Sequence, residues 1–472
     1  MTASRSYSQI LSDFIVSLSF EDLPPATVDA AKRHLLDIVG VGLLGSQQQI
    51  AVSALAGVGA LAGSAGRALV WGTGARLPAA LVAMINGVAS HVLDFDDTHT
   101  DSITHGSAVL GPLVFALGEE TGASGKDLIV AFVAGWETIA RVGLASRGSF
   151  HKRGFHTTSV AGIFGAVAAA GKLLGLSREA MSHAFGLCGS QASGVSEYLS
   201  NGSSSKSFHP GWAAHAAIVA TQLAKAGMTG PMTIFEGRYS LFKTYGLIEE
   251  CALDQLTADL GHRWEATRIS IKPYPCCHFA HAFVDCARNL RAKGLRAEDI
   301  DRLECVVPEI EVALICEPFA QKLHPSSPYE AKFSLPYLVA AGLIDGAVGQ
   351  KTFTQASIGR ADLLALAKRV GYRLACEGET TFPKYFPGWI QGRQRDGTPI
   401  EQRLDVNYGN PDNPMRDEDI TAKFRDNAVG ILSQSQSTEF IAAIRRIEST
   451  SVRDVAGLLE TRSRTEPKAA RR

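Results

Sequence analysis

The sequence predicts a mainly α protein, with a large all-helical domain and a smaller α+β domain inserted before the chain returns to helix. Three observations lead there. Residues 7 to about 265 read as one helix after another, strand-like runs begin near Arg268, and helical spacing resumes from about 414. The expected boundaries are 1–265 for the helical domain, 266–409 for the α+β domain and 410–460 for C-terminal helices that pack back on the first domain. Residues 461–472 form a basic, polar tail expected to be disordered.

The helical elements follow in order. "LPPATVDAAKRHLLDIVGVGLLG" opens with Pro near N1, and its apolar positions Val28, Ala31, Leu35, Leu36 and Val39 recur at helical spacing. Further helices are expected at 77–95, 126–143, 157–175, 177–194 and 211–227, each preceded by a capping residue or followed by Gly. Their many Ala and Gly residues predict closely approaching axes. In the second domain "TRISIKPYP" and "IDRLECVVPEIEVAL" read as strands, and "CCHFAHAFVDCARNLRAKG" and "YEAKFSLPYLVAAGLIDG" as helices. "GWIQGRQRDGTPIEQRLDV" reads as a hairpin around Asp-Gly.

Composition narrows the function. Lys plus Arg is 46 and Asp plus Glu 47, so net charge makes no case for nucleic acid or a membrane surface as partner. The N-terminus lacks the basic and apolar regions of a signal peptide, and no run reaches the ~18 uncharged apolar residues of a span. Eight scattered Cys do not form a disulfide framework, and a reduced cytoplasmic location is expected. "GVGLLG" at 40–45 matches a dinucleotide fingerprint by letters but sits inside a helical pattern, which leaves a nicotinamide oxidoreductase with no other support.

Titratable groups concentrate in "LDFDDTHTDSITHG", residues 93–106. As a calcium loop it fails, with His99 at the glycine position and His105 at the final acidic one. A transition-metal site of His99, His105 and an Asp, a solvated acidic loop and an acid/base site remain open. "HKRGFHTTSVAG" places His156 at a helix start, where the dipole disfavours an imidazolium. "SSSKSFHPGW" places Lys206 and His209 in a Gly/Ser loop just before a helix, a plausible carboxylate site. "CCHFAHAFVDC" has no zinc-type spacing and reads as a packed helix start, although thiols there would gain reactivity from the dipole.

Six blocks, taken in order, resemble the 2-methylcitrate dehydratase (MmgE/PrpD) family. They are "HVLDFDDTHTDSITHG", "GFHTTSVAGIFGA", "SSSKSFHPGWAAHAA", "IFEGRYSLF", "IKPYPCCHFAHA" and "PYEAKFSLPYLVA". Cis-aconitate decarboxylase and iminodisuccinate epimerase belong to the same family. The resemblance implies a homodimer in which the α+β domain is a lid, and a site that works without metal or cofactor on a small di- or tricarboxylate. Carried over block by block, it implies Asp94, Thr98, His105, His156, Lys206 and Lys272 as site residues.

The chemistry shared by these activities is proton transfer at a carbon beside a carboxylate, with cations holding the anionic substrate. Lys206 and Lys272 suit the carboxylates, with His209 and Thr98 as further binding groups. His105 and His156 suit acid/base work, and Asp94 can orient a His or act as base. The expected reaction is dehydration of a 2-methylcitrate-like hydroxy acid. Alternatives are epimerisation of the iminodisuccinate type, decarboxylation of the cis-aconitate type, or a non-catalytic carboxylate-binding protein. Animal decarboxylases of this family carry a Tyr in the segment corresponding to 312–318. Here it reads "VALICEP", which counts against decarboxylation unless Tyr329 or Tyr337 substitutes.

Overall fold

The computed structural model describes residues 5–461, so most of the 461–472 tail lies outside the described residues. Helices of eleven or more residues are, in chain order, α1 (Tyr7–Ser17), α2 (Pro25–Ser46), α3 (Gln49–Gly59), α4 (Ala79–His91), α5 (Ser107–Thr121), α6 (Gly125–Ser146), α7 (Thr157–Leu173), α8 (Arg178–Gly189), α9 (Ser205–Lys225), α10 (His281–Ala292), α11 (Leu335–Asp345), α12 (Asp417–Ala428) and α13 (Gln434–Arg445). Two compact units result, one of Met1–Ser270 with Arg416–Arg472 and one of Ile271–Met415.

In the first unit, α5, α6 and α7 are buried on nearly every face and form its centre. They are apolar all round, as central helices must be. α6 is long and apolar enough to cross a membrane, but 94% of its apolar window is buried inside the unit. Its buried Arg141 pairs with Glu137 and donates to the Ala258 and Arg263 carbonyls. Helix ends follow local chemistry. Ser6 with Gln9, and Ser124 with Asp127, form capping boxes, and Pro25 opens α2. The "GVGLLG" stretch is interior to α2, with no strand before it.

Two expectations for this unit need correction. It is not wholly helical, because β1 (Ala68–Leu69) pairs antiparallel with β2 (Arg76–Leu77). Gly72, at φ +70°, turns this short ribbon. The Asn86 side chain on α4 holds it, accepting from the Trp71 amide and donating to the Leu69 carbonyl. Second, α9 begins at Ser205, six residues before the start expected at 211, so Lys206 and His209 are helical rather than loop residues. Pro210 misled the reading. Its missing N–H leaves the Lys206 carbonyl without its intrahelical donor, yet near a helix start this is tolerated.

The second unit is built on a four-stranded sheet of order β4-β3-β5-β6, from β3 (Ile300–Val307), β4 (Val370–Leu374), β5 (Gly388–Gln394) and β6 (Pro399–Leu404). β3 runs parallel to β4 and antiparallel to β5, and β5 and β6 form the Asp-Gly hairpin, with Gly397 at φ +91°. α10 and α11 share a core with the sheet through Phe283, Leu290, Leu303, Tyr337 and Leu338. "TRISIKPYP" is not a strand; its only ladder contact is an isolated bridge from Ser270 to Thr98. The segment after β3 turns helical at Glu309, because Pro308 cannot continue the ladder. The cysteines of "CCHFAHAFVDC" are core residues: burial pushes the Cys286 thiol up, opposite to a reactive site.

The crossing of α4 and α9 decides where site residues lie. A Cβ on Gly87 would lie 2.6 Å from the Gly211 Cα, and one on Gly211 would lie 2.3 Å from the Met84 carbonyl oxygen. Only glycines allow the backbones to touch here. Gly211→Val should therefore force the helices apart, cost about 1–3 kcal/mol or more, and lower the thermal midpoint measured by circular dichroism.

Candidate active site

The turn between α4 and α5 buries three carboxylates in four residues. Asp94, Asp96 and Asp97 are all at most 5% exposed. Burial of a charge this deep requires partners, and each has one. Lys206 Nζ lies 2.9 Å from Asp94 Oδ1. His91 Nδ1 lies 2.7 Å from Asp96 Oδ2. Asp97 takes His34 Nδ1 at 2.8 Å and the Ser107 hydroxyl at 2.5 Å, and the Ser107 hydroxyl is in turn bonded by Trp136 Nε1. Asp94 sits at φ +54°, a conformation Asp tolerates better than most residues. From beneath, Lys423 of α12 pairs with Asp37 of α2 at 2.7 Å, donates to the Phe95 carbonyl and lies 3.8 Å from the centre of the Phe95 ring.

Four imidazoles gather beside this turn. The ring centres of His91 and His105 are 5.3 Å apart, those of His91 and His156 5.5 Å, and those of His156 and His209 5.2 Å. His105 Nδ1 lies 2.9 Å from the Asp97 carbonyl and 3.1 Å from Thr98 Oγ1. A carbonyl only accepts, so Nδ1 carries a proton. His156 and His209 face each other Nδ1 to Nδ1 at 3.0 Å, an arrangement that needs one proton between the two nitrogens.

Burial holds His156 well below the ordinary imidazole range, and a positive charge on any of His91, Lys206, His209 or His105 would push it the same way. The dipole argument from its place before α7 points in the same direction, but desolvation is the larger cause. His209 is pushed down to about 4, again chiefly by burial, then by His91 and Lys206. Both rings are therefore neutral near pH 7. Lys206 thus stands within electrostatic reach of both His156 and His209, and of Tyr198 beside them.

Of the residues singled out from the sequence, the first unit brings together Asp94, Thr98, His105, His156, Lys206 and His209. Lys272 belongs to the second unit, where it is 1% exposed. His99 serves a different place: it bonds Ser102 through Nδ1 and Glu265 through Nε2, so it does not converge with His105 on a cation. Among the described residues, no three His, Cys, Asp or Glu side chains are arranged to hold a metal ion. Asp101 lies at the surface with Arg268. Sequence reading missed His91, Asp96, Asp97 and His34. A signal existed for the histidines: each falls in an apolar helix, and a buried polar ring there must find a partner.

Family models match most of the chain. The MmgE/PrpD N-terminal domain matches residues 9–251 and the MmgE/PrpD C-terminal domain residues 274–449. The chain belongs to the MmgE/PrpD family. Among similar MmgE/PrpD proteins is a cis-aconitate decarboxylase of Mus musculus, 29% identical over 467 residues, covering 94% of this chain and 91% of that protein. The Homo sapiens cis-aconitate decarboxylase is 28% identical, with 94% and 92% covered, and that of Aspergillus terreus 25%, with 94% and 93%.

The neutral histidines set a pH dependence of stability. A ring whose folded pKa lies below its unfolded value of 6.5 supports the fold fully above that pH. That support falls as the pH drops toward about 4, because the unfolded chain takes up the proton first. The thermal midpoint should fall over this window, and His209→Asn should make the fall shallower. Midpoints at about pH 7, 5.5 and 4.5 for both proteins provide the comparison.

Proposed function

We propose that the protein is a lyase that removes carbon dioxide from a small unsaturated tricarboxylate of the cis-aconitate type. One observation carries the reading: a cluster of four imidazoles, two of them neutral, adjoins a part-buried Lys206–Asp94 pair. Decarboxylation of such an acid breaks the bond to one carboxylate. That electron pair forms a new C=C, and the former C=C pair takes up one proton. The reaction needs cations for the remaining carboxylates and proton-transfer groups at carbon. In this proposal Lys206 holds a carboxylate, Thr98 and His209 add hydrogen bonds, and Lys272 keeps the carboxylate role that the family resemblance implies. His105 and His156 flank the carbon that takes up the proton, while Asp94 orients Lys206. The names of the full-length relatives support decarboxylation over the other family chemistries.

Dehydration of a 2-methylcitrate-like acid is the second reading, favoured by the absence of Tyr from 312–318. Tyr337 does not make good that absence, because its buried hydroxyl is committed to the Thr352 carbonyl at 2.7 Å.

Proton NMR in deuterated water, with 2-methylcitrate, citrate, cis-aconitate and iminodisuccinate, separates these outcomes. Itaconate from cis-aconitate is expected. New olefinic signals from a hydroxy acid without carbon loss would move the conclusion to dehydration, and deuterium uptake without net conversion to epimerisation. His105→Ala and His156→Ala should each lower turnover by ~10²-fold or more, and wild-type rates in both would remove them from the chemistry.

We propose further that the chain works as a homodimer through α9. Phe208, Val219 and Leu223 are exposed along one stripe, with Trp212 stacked between Phe208 and His215. Light scattering should give twice the chain mass, and Phe208→Glu should shift it toward one.

A further inference from the structure

We propose that His91, held by Asp96, is an additional catalytic residue of this site, the imidazole that carries the proton delivered to the substrate. The inference rests on the tricarboxylate lyase reading above and names its proton donor.

The geometry is that of a charged histidine. His91 is the last residue of α4, so its ring stands at the negative end of a helix dipole, where a cation is favoured. His156 stands at the opposite kind of end, before the first turn of α7. The carboxylate 2.7 Å from His91 Nδ1 belongs to a fully buried Asp96, and such a pairing stabilises an imidazolium. The other rings differ in the partners seen here. His105 reaches a carbonyl and a hydroxyl, and its distance to Asp96 is 4.0 Å. His156 and His209 bond each other.

The second observation is the other side of the ring. His91 Nε2 is buried and has no hydrogen-bond partner. A buried polar atom without a partner is rare enough to require an explanation. The ring itself lies beside His105 and His156, and a substrate atom bound at this cluster would supply the missing partner. The groups that bear on His91 are Asp96 on the Nδ1 side, His105 and His156 beside the ring, and His209 and Lys206 of α9 beyond them. Lys423 of α12 acts on Asp96 from the far side. From α2, His34 is committed to Asp97 and Asp37 to Lys423.

The step balances. The C–C bond to the departing carboxylate breaks and its electrons form the new double bond. The electrons of the old double bond take the proton from His91 Nε2, and carbon dioxide leaves. His91 becomes neutral with Nδ1–H still donated to Asp96, and water restores the proton. Asp96 thus supports both states of the ring.

The test uses the full chain with ¹⁵N-labelled histidine. At about pH 7 the His91 ring should carry protons on both nitrogens, and Asp96→Asn should remove one. His91→Gln should lower turnover of cis-aconitate by ~10²-fold or more with little change in KM. Calorimetry with the inert acid tricarballylate checks that this variant still folds and binds. Asp96→Asn should also move the alkaline limb of kcat down by about one pH unit or more, which decides the matter if His91→Gln fails to fold. A neutral His91 at pH 7, an unmoved limb, or wild-type turnover in His91→Gln overturns the proposal. A charged His91 in a protein that turns over none of the tested acids would overturn the substrate reading and leave the proton carrier standing.

Discussion

Three carboxylates placed within four residues and then buried are the constraint around which the helical unit is assembled. A lone buried carboxylate is too costly to keep its charge, so Asp94, Asp96 and Asp97 each require a donor. Those donors come from different helices: Lys206 from α9, His91 from α4, and His34 and Ser107 from α2 and α5. Lys423 from the C-terminal α12 closes the set beneath Phe95, tied to α2 through Asp37. Segments nearly 400 residues apart in sequence, α2 and α12, therefore meet under one turn. Breaking any one pair weakens the support of a buried charge in the turn that carries Thr98 and leads to His105.

The same burial sorts the histidines into two kinds. His156 and His209, shielded from water and sharing one proton between facing nitrogens, stay neutral. His91 stands at a helix C-terminus against a carboxylate. Rings a few ångströms apart thus meet different helix ends and different partners although they are the same residue type. Proton transfer needs such a difference, since a set of equal imidazoles would hold its protons in common. Close helix approach makes the sorting possible. With glycines at the α4–α9 crossing, the backbone that ends at His91 and the one that carries Lys206 and His209 come into direct contact.

Much of this was legible in the residues. The helical spacing of 7–265, the Asp-Gly hairpin at 396–397 and the rejection of "GVGLLG" as a nucleotide loop all follow from local chemistry, because periodicity and turn residues act over a few positions. Errors fell where local signals compete. Pro210 hid the true start of α9, and the β-branched "TRISIKPYP" read as a strand although no partner strand lies beside it.

The sequence by itself determined a mainly α chain, an α+β segment after residue 266 and the set of blocks that identify the MmgE/PrpD family. It also singled out Asp94, Thr98, His105, His156, Lys206 and Lys272 through the resemblance of those blocks to the family, and His209 through its place near a helix start. Only the tertiary structure decided which carboxylate answers which cation. His91 reads as one more residue of an apolar helix until α4 ends beside Asp96. His99 reads as a ligand until Ser102 and Glu265 claim both its nitrogens. The physical reason is range: helix periodicity is written within a turn or two, whereas the charge of a buried ring depends on partners that arrive from distant parts of the chain.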